Sequence, residues 1–229
     1  MRFLAAICAL ISTLALSSPA RAVDYVVTTG ILSDEQFYQL VSCGAVPGGV
    51  CQQDPIVWPE ATRRALTIGF AQRDGGFPSR TARSVLLGLR NAIRQINRIG
   101  ADLMLVETDP GQPADILIYL QDVPEGGTIN GTGLRGLDGV QIEIGRFHVL
   151  WDHNRNITRA GIVLSRDLRP HDAASVILEE IVQSLGLIYD IRNPAYRNRS
   201  IFDEDGNAVT SLRAQDVVAL RRHYPGGER

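Results

Sequence analysis

The segment Glu179-Glu180-Ile181-Val182-Gln183-Ser184-Leu185-Gly186-Leu187 holds the side chains best spaced to do chemistry. On a helix, Glu179 and Gln183 are four residues apart and share a face, and Glu180 lies about 100° further round. Two oxygen donors on one face can hold a cation, and a neighbouring glutamate can take a proton from water. A Glu and Gln pair suits Ca²⁺, Mg²⁺ or Mn²⁺ better than Zn²⁺. The same residues also fit a buried polar network without metal. In that reading a guanidinium from Arg192, Arg197 or Arg199 stands in for the ion. Glu179 and Glu180 are adjacent and diverge, so they do not form a glycosidase pair.

Composition removes several other chemistries. The chain has 229 residues, and its 23 basic residues besides histidine are all arginine, against 25 carboxylates. Without lysine there is no Schiff-base nucleophile and no P-loop ammonium. A net charge of −2 gives no electrostatic case for nucleic acid or an anionic membrane. His148, His153, His171 and His223 are scattered, none with a histidine or cysteine partner at metal-ligand spacing. Gly131-Thr132-Gly133-Leu134-Arg135-Gly136 fits G-x-G-x-x-G. It lacks the preceding strand and following helix that a dinucleotide site needs, so it reads as a glycine-rich loop. Asp203-Glu204-Asp205-Gly206 lacks the length and closing glutamate of an EF-hand and reads as a solvated turn. No cofactor is expected, with a divalent metal as the alternative.

The start of the chain has the form of an export signal, residues 1–22. Arg2 precedes an apolar run from Phe3 to Leu16, and Ala20-Arg21-Ala22 is an A-x-A cleavage site. Cys8 leaves with it. Cys43 and Cys51 then remain, bracketing a Gly- and Pro-containing loop, and an even pair in an exported chain reads as a disulfide. The expected location is periplasmic or secreted, with no stable membrane insertion after cleavage. The expected organisation is a disulfide-stapled N-terminal segment over 23–56 and one domain over 57–229.

Periodicity supplies the elements that must position the helix. Ser33 and Gln36 form a capping box opening a helix to about Val41. Arg64 to Ala71 reads as a strand, and Ser79 caps a long helix that Gly100 ends. Leu103–Glu107, Ile116–Leu120 and Ala160–Leu164 read as strands, and 140–144 and 147–151 as a strand pair around Gly145-Arg146. Helices follow over about 172–185 and 213–223. This order predicts an α+β fold, a twisted mixed sheet with helices on one side.

Against that frame the helix at 172–187 has the spacing of HExxHxxG, with Glu179 and Gln183 at the two histidine positions. It resembles the active-site region of metzincin metallopeptidases, especially matrixins. Ala114-Asp115-Ile116 resembles the A-D-I strand, and Ser200-Ile201-Phe202 resembles the S-I-M Met-turn with Phe202 at the methionine. Leu212 to Tyr224 resembles the family's closing helix. The resemblance implies a zincin-like domain from about Trp58 to Tyr224. It also implies a groove that holds a peptide or protein, and a general-base role for Glu180. The chain departs from that pattern at both zinc histidines and at the methionine. It is more closely similar to an exported proteobacterial family, domain of unknown function 2927. The resemblance rests on Cys43-Gly44-Ala45, Gly131-Thr132-Gly133-Leu134, Leu178-Glu179-Glu180 with Gln183, and Ser200-Ile201-Phe202-Asp203. A non-catalytic binding or scaffold domain is therefore expected. The alternative is a hydrolase with metal on Glu179, Gln183 and Asp190 or Tyr189.

Overall fold

The computed structural model describes residues 25–71 and 73–226, so the expected signal at 1–22 lies outside the described residues. In chain order the elements are β1 (Tyr25–Val27), α1 (Asp34–Cys43), α2 (Glu60–Arg63), β2 (Leu66–Phe70) and α3 (Ser79–Arg98). Next come β3 (Leu105–Glu107), β4 (Ile116–Gln121), β5 (Gly145–Trp151), β6 (Ile157–Ser165), α4 (Ala173–Ser184), β7 (Asp190–Arg192) and α5 (Ala214–His223).

Five strands form a mixed sheet in the order β3-β2-β4-β6-β5. All neighbours are parallel except β5, which runs antiparallel to β6. A second sheet pairs β1 with β7 in parallel. Alternation along β6 separates two cores. Ile162 and Leu164 join the main cluster with Val85 and Leu89 of α3 and Ile177 and Ile181 of α4. Val163 turns to the opposite face and packs with Ile129, Leu134, Leu137 and Ile142. Helices cover one face of the sheet and the glycine-rich loop covers the other. Leu134 and Leu137 give that loop a small core of its own.

The strand pair expected at 140–144 and 147–151 is not what forms. One strand, β5, begins at Gly145, and its partner is β6. The reversal between them is held by Asp152, whose Oδ1 accepts from the amides of Asn154 and Asn156 at 2.8 and 2.9 Å. Residues 140–144 instead close the glycine-rich loop: Gln141 bridges Thr128, and Ile142 is buried in the smaller core. Ser79 is the first helical residue of α3 rather than its cap, which is Pro78.

Two features set the position of α4. A Cβ at Gly88 of α3 would stand 2.7 Å from Ile177 Cγ2 and 3.1 Å from Ala174 Cα. The missing side chain therefore lets the two helices approach closely. The N-terminal segment supplies the other constraint. α1 has the expected capping box, ends at Gly44 in the left-handed region, and is tied by the Cys43–Cys51 disulfide with a Cα separation of 5.1 Å. Its Phe37, Leu40 and Val41, with Ile56 and Trp58, belong to the main core.

Candidate functional site

The end of α4 is closed by residues from two segments far apart in sequence, 56–58 and 223–224. Gly186 has φ +101°, and a Cβ there would lie 2.2 Å from the Ile56 carbonyl oxygen and 2.7 Å from His223 Nε2. Only glycine fits both the backbone angle and the space. The last-turn carbonyls find donors in buried aromatic side chains: Trp58 Nε1 donates to Ser184 O at 3.0 Å and Tyr224 OH to Leu185 O at 2.6 Å. The Tyr224 hydroxyl also accepts from Trp58 N at 3.1 Å. His223 bonds the Ile56 carbonyl, and burial lowers its pKa to about 4, so its ring is neutral.

The three polar side chains of the helix have different environments. Glu180 is 7% exposed and lies over β5, where a Cβ on Gly145 would come within 2.2 Å of its Oε1. Its Oε2 has no hydrogen-bond partner among the described residues. Burial, then the charge of Asp190, pushes its pKa up to about 8, and Arg146 opposes them. Glu179 keeps an edge at the surface, yet its carboxyl is held well above the usual range by burial, then Glu180, Glu204 and Asp203. Gln183 is buried, and its Nε2 donates to Asp190 Oδ2 at 2.8 Å.

The remaining sequence-predicted residues divide between this cluster and the scaffold. Asp190 joins Gln183, but Tyr189 turns toward α1: its ring lies against Gly44 and its amide donates to Val41 O at 3.1 Å. Ser200 donates to Asp216 Oδ1 at 2.6 Å and accepts from Phe202 N at 3.1 Å, tying the turn to α5. Phe202 is fully buried with its ring 5.8 Å from that of Phe37, and its carbonyl accepts from Ile191 N at 2.7 Å. Ile201 is likewise in the main core. Asp203, expected in a solvated turn, is 3% exposed and accepts from Asn198 N at 3.0 Å, so the turn folds around its carboxylate.

Two of the three arginines expected to balance the helix carboxylates, Arg192 and Arg197, are engaged elsewhere. Arg192 bonds Glu204 and Asp205, each at 3.1 Å, and stacks 3.8 Å from the Tyr25 ring centroid; Arg197 reaches Asp205 at 3.9 Å. The guanidinium that acts on Glu180 is Arg146, whose own Nε is buried without a partner among the described residues. Arg146 opposes Val163 in β6 and so shares the loop face of the sheet rather than the face of Gly145 that meets α4. Its charge reaches Glu180 from there, and sequence reasoning missed it because the face of a strand residue is set by register.

The positions at which the metzincin resemblance expects zinc ligands make contacts within the protein. The amide at the second ligand position is held by Asp190, and the tyrosine at the third is packed on the N-terminal segment. Among the described residues no three His, Cys, Asp or Glu side chains are grouped as a metal site requires.

No curated protein matches the chain. Residues 142–226 match a family model described as a protein of unknown function (DUF2927). The matched span runs from just before β5 through α5. It contains Arg146, Glu179, Glu180, Gln183, Asp190 and the 200–202 turn, and it stops short of the disulfide loop and Gly131–Leu134. The part of the chain that carries the candidate site is thus similar to that family of unknown function.

Proposed function

We propose that the protein is a metzincin-like binding domain, without peptidase activity, that works in the periplasm or outside the cell. The observation that carries this reading is the Gln183–Asp190 hydrogen bond. It engages the second ligand position in a contact internal to the protein, and a buried bond of that kind is costly to break without replacement. The occupant we propose is an extended peptide segment beside β5. That strand ends the sheet, and among the described residues no further strand pairs with its outer edge. An edge of this kind offers backbone donors and acceptors for strand addition. The disulfide suits an oxidising compartment.

One observation favours a second reading, a metal-dependent hydrolase with oxygen ligands. Glu180 has an unpartnered oxygen and a pKa near 8, the range in which a carboxyl can trade protons at neutral pH. That reading requires Glu179, Gln183 and Asp190 to converge on a cation, with Gln183 turning its oxygen to it. The deciding experiment is elemental analysis of the purified protein after exposure to Zn²⁺, Mn²⁺ and Ca²⁺ and desalting, with casein digestion in parallel. The binding-domain reading expects no stoichiometric metal and no digestion. Stoichiometric metal that disappears in Gln183→Ala, together with digestion, would establish the hydrolase instead.

A further inference from the structure

The longest helix, α3, buries one side and leaves the other to solvent. Val85, Leu89, Ala92 and Ile96 belong to the main core. Beyond its first residue, the exposed positions of the helix are Arg80, Arg83, Leu87, Arg90, Arg94 and Arg98. At about 100° per residue these six fall within an arc of about 80°, directly opposite the core side. They run along about 27 Å of helix axis. Five arginines and no carboxylate of α3 therefore face solvent in one straight row.

Few of these charges are used inside the protein. Arg90 pairs with Glu107 of the edge strand β3 at 3.1 Å. Arg94 has only a long 3.4 Å bond to Asn91 Oδ1. Among the described residues no carboxylate pairs with Arg80, Arg83, Arg94 or Arg98, whereas Arg63, Arg166 and Arg222 each find one. The net charge of −2 thus averages a segregated distribution, in which the outer side of α3 is strongly positive. Salt screens exposed charges beyond about 8–10 Å, so acids on the far side of the molecule do not cancel this row.

We infer that the outer side of α3 is a peripheral docking face for an anionic phospholipid surface. A straight row on a convex helix brings every arginine to the same depth against a plane, and each guanidinium fork matches a phosphate. Leu87, 68% exposed in the middle of the row, is placed to enter between the headgroups. Other polyanions fit less well. α3 contains no aromatic residue, so it offers no platform for stacked bases. Five cations around one leucine invert the pattern of a protein–protein interface, whose core is depleted of charge. The contact is lateral and reversible, and no helix of the described residues is long and apolar enough to cross a membrane. It does not depend on what the α4 cluster does.

The test is sedimentation of the exported, purified protein with two kinds of vesicle. One is phosphatidylcholine alone, and the other is phosphatidylcholine and phosphatidylglycerol in equal parts. The expected result is binding to the mixed vesicles only, lost at high salt. Arg83→Gln and Arg94→Gln, exposed changes that break no ion pair, should each lower partitioning about five-fold, and together about twenty-five-fold. Arg135→Gln removes the same charge from the glycine-rich loop on the other face of the sheet and should leave partitioning unchanged. Circular dichroism checks the fold of each variant. Four outcomes overturn the inference: no binding to the mixed vesicles, equal binding to both kinds, or a loss in Arg135→Gln equal to that in Arg83→Gln. The fourth is retention on heparin or polyglutamate with the vesicles left unbound, which would assign the face to a soluble polyanion.

Discussion

Gln183 Nε2 donates to Asp190 Oδ2 across 2.8 Å, both side chains buried, and so joins α4 to β7 directly. The bond uses the one face of the helix on which a metal would have to be held.

Replacing Gln183 by methionine keeps its volume and removes the donor. We expect a loss of roughly 1–3 kcal/mol in urea denaturation. EDTA should change neither the wild-type melting temperature nor that of the variant. A wild-type melting temperature that falls on chelation would show that the site draws its stability from a metal.

Stability should depend on pH in a direction set by Glu180. Folded, Glu180 keeps its proton to about 8; unfolded, it releases it near 4.5. The folded state thus binds more protons between those values, and stability falls as pH rises through them. Asp216, raised by burial from 3.8 to about 6, acts in the same direction at lower pH. His223 opposes both: its folded pKa of about 4 lies below its ordinary 6.5, so stability falls as pH drops through that window. Melting temperature against pH should therefore decline on the alkaline side, and less steeply in Glu180→Gln. An identical alkaline slope in that variant would remove Glu180 as the cause.

At Gly186 backbone angle and space act together, with the Ile56 carbonyl oxygen 2.2 Å from a built Cβ. Gly186→Ala should cost about 3 kcal/mol or more, since the carbonyl has to move and the left-handed angle is strained besides. Gly126→Ala isolates the angle: its φ is +75° with nothing within 4 Å. It should cost only about 1–2 kcal/mol. Chemical denaturation of the two variants gives the difference, and equal losses would mean the approach of Ile56 is unimportant.

Reducing the disulfide, or replacing both cysteines by serine, should cost roughly 2–3 kcal/mol on the chain-entropy account. The effect should extend beyond the loop, because the Tyr189 ring lies against Gly44, next to Cys43. Hydrogen exchange should therefore quicken at β7 as well as over 43–51. Protection at β7 that is unchanged on reduction would show that the two regions are independent.

What was legible in the sequence was local. The capping box at Ser33, the helix ended by Gly186, the long α3 and the Cys43–Cys51 pair are each written in a few neighbouring residues. The strand at 140–144 failed because a short apolar run has the same composition whether it pairs in a sheet or packs in a loop, as Ile142 does. The site was legible to the same extent. Glu179, Glu180 and Gln183 follow from helical spacing. Arg146 as the nearby cation, the departure of Tyr189 toward Gly44 and the bond to Asp190 depend on contacts between distant segments, for which one sequence carries no signal.

The pairing of β1 with β7 has a further consequence, for the order of assembly. Tyr25 stands opposite Asp190, and its hydroxyl accepts from Arg192 across a separation of 167 residues. Closing so long a loop is entropically slow, and chains dominated by such contacts fold slowly. The first described strand has no partner until nearly the whole chain exists, and the Ile56 carbonyl has no helix end to cover. The surroundings of α4 should therefore be the last part of the molecule to consolidate, although they lie in its most buried core.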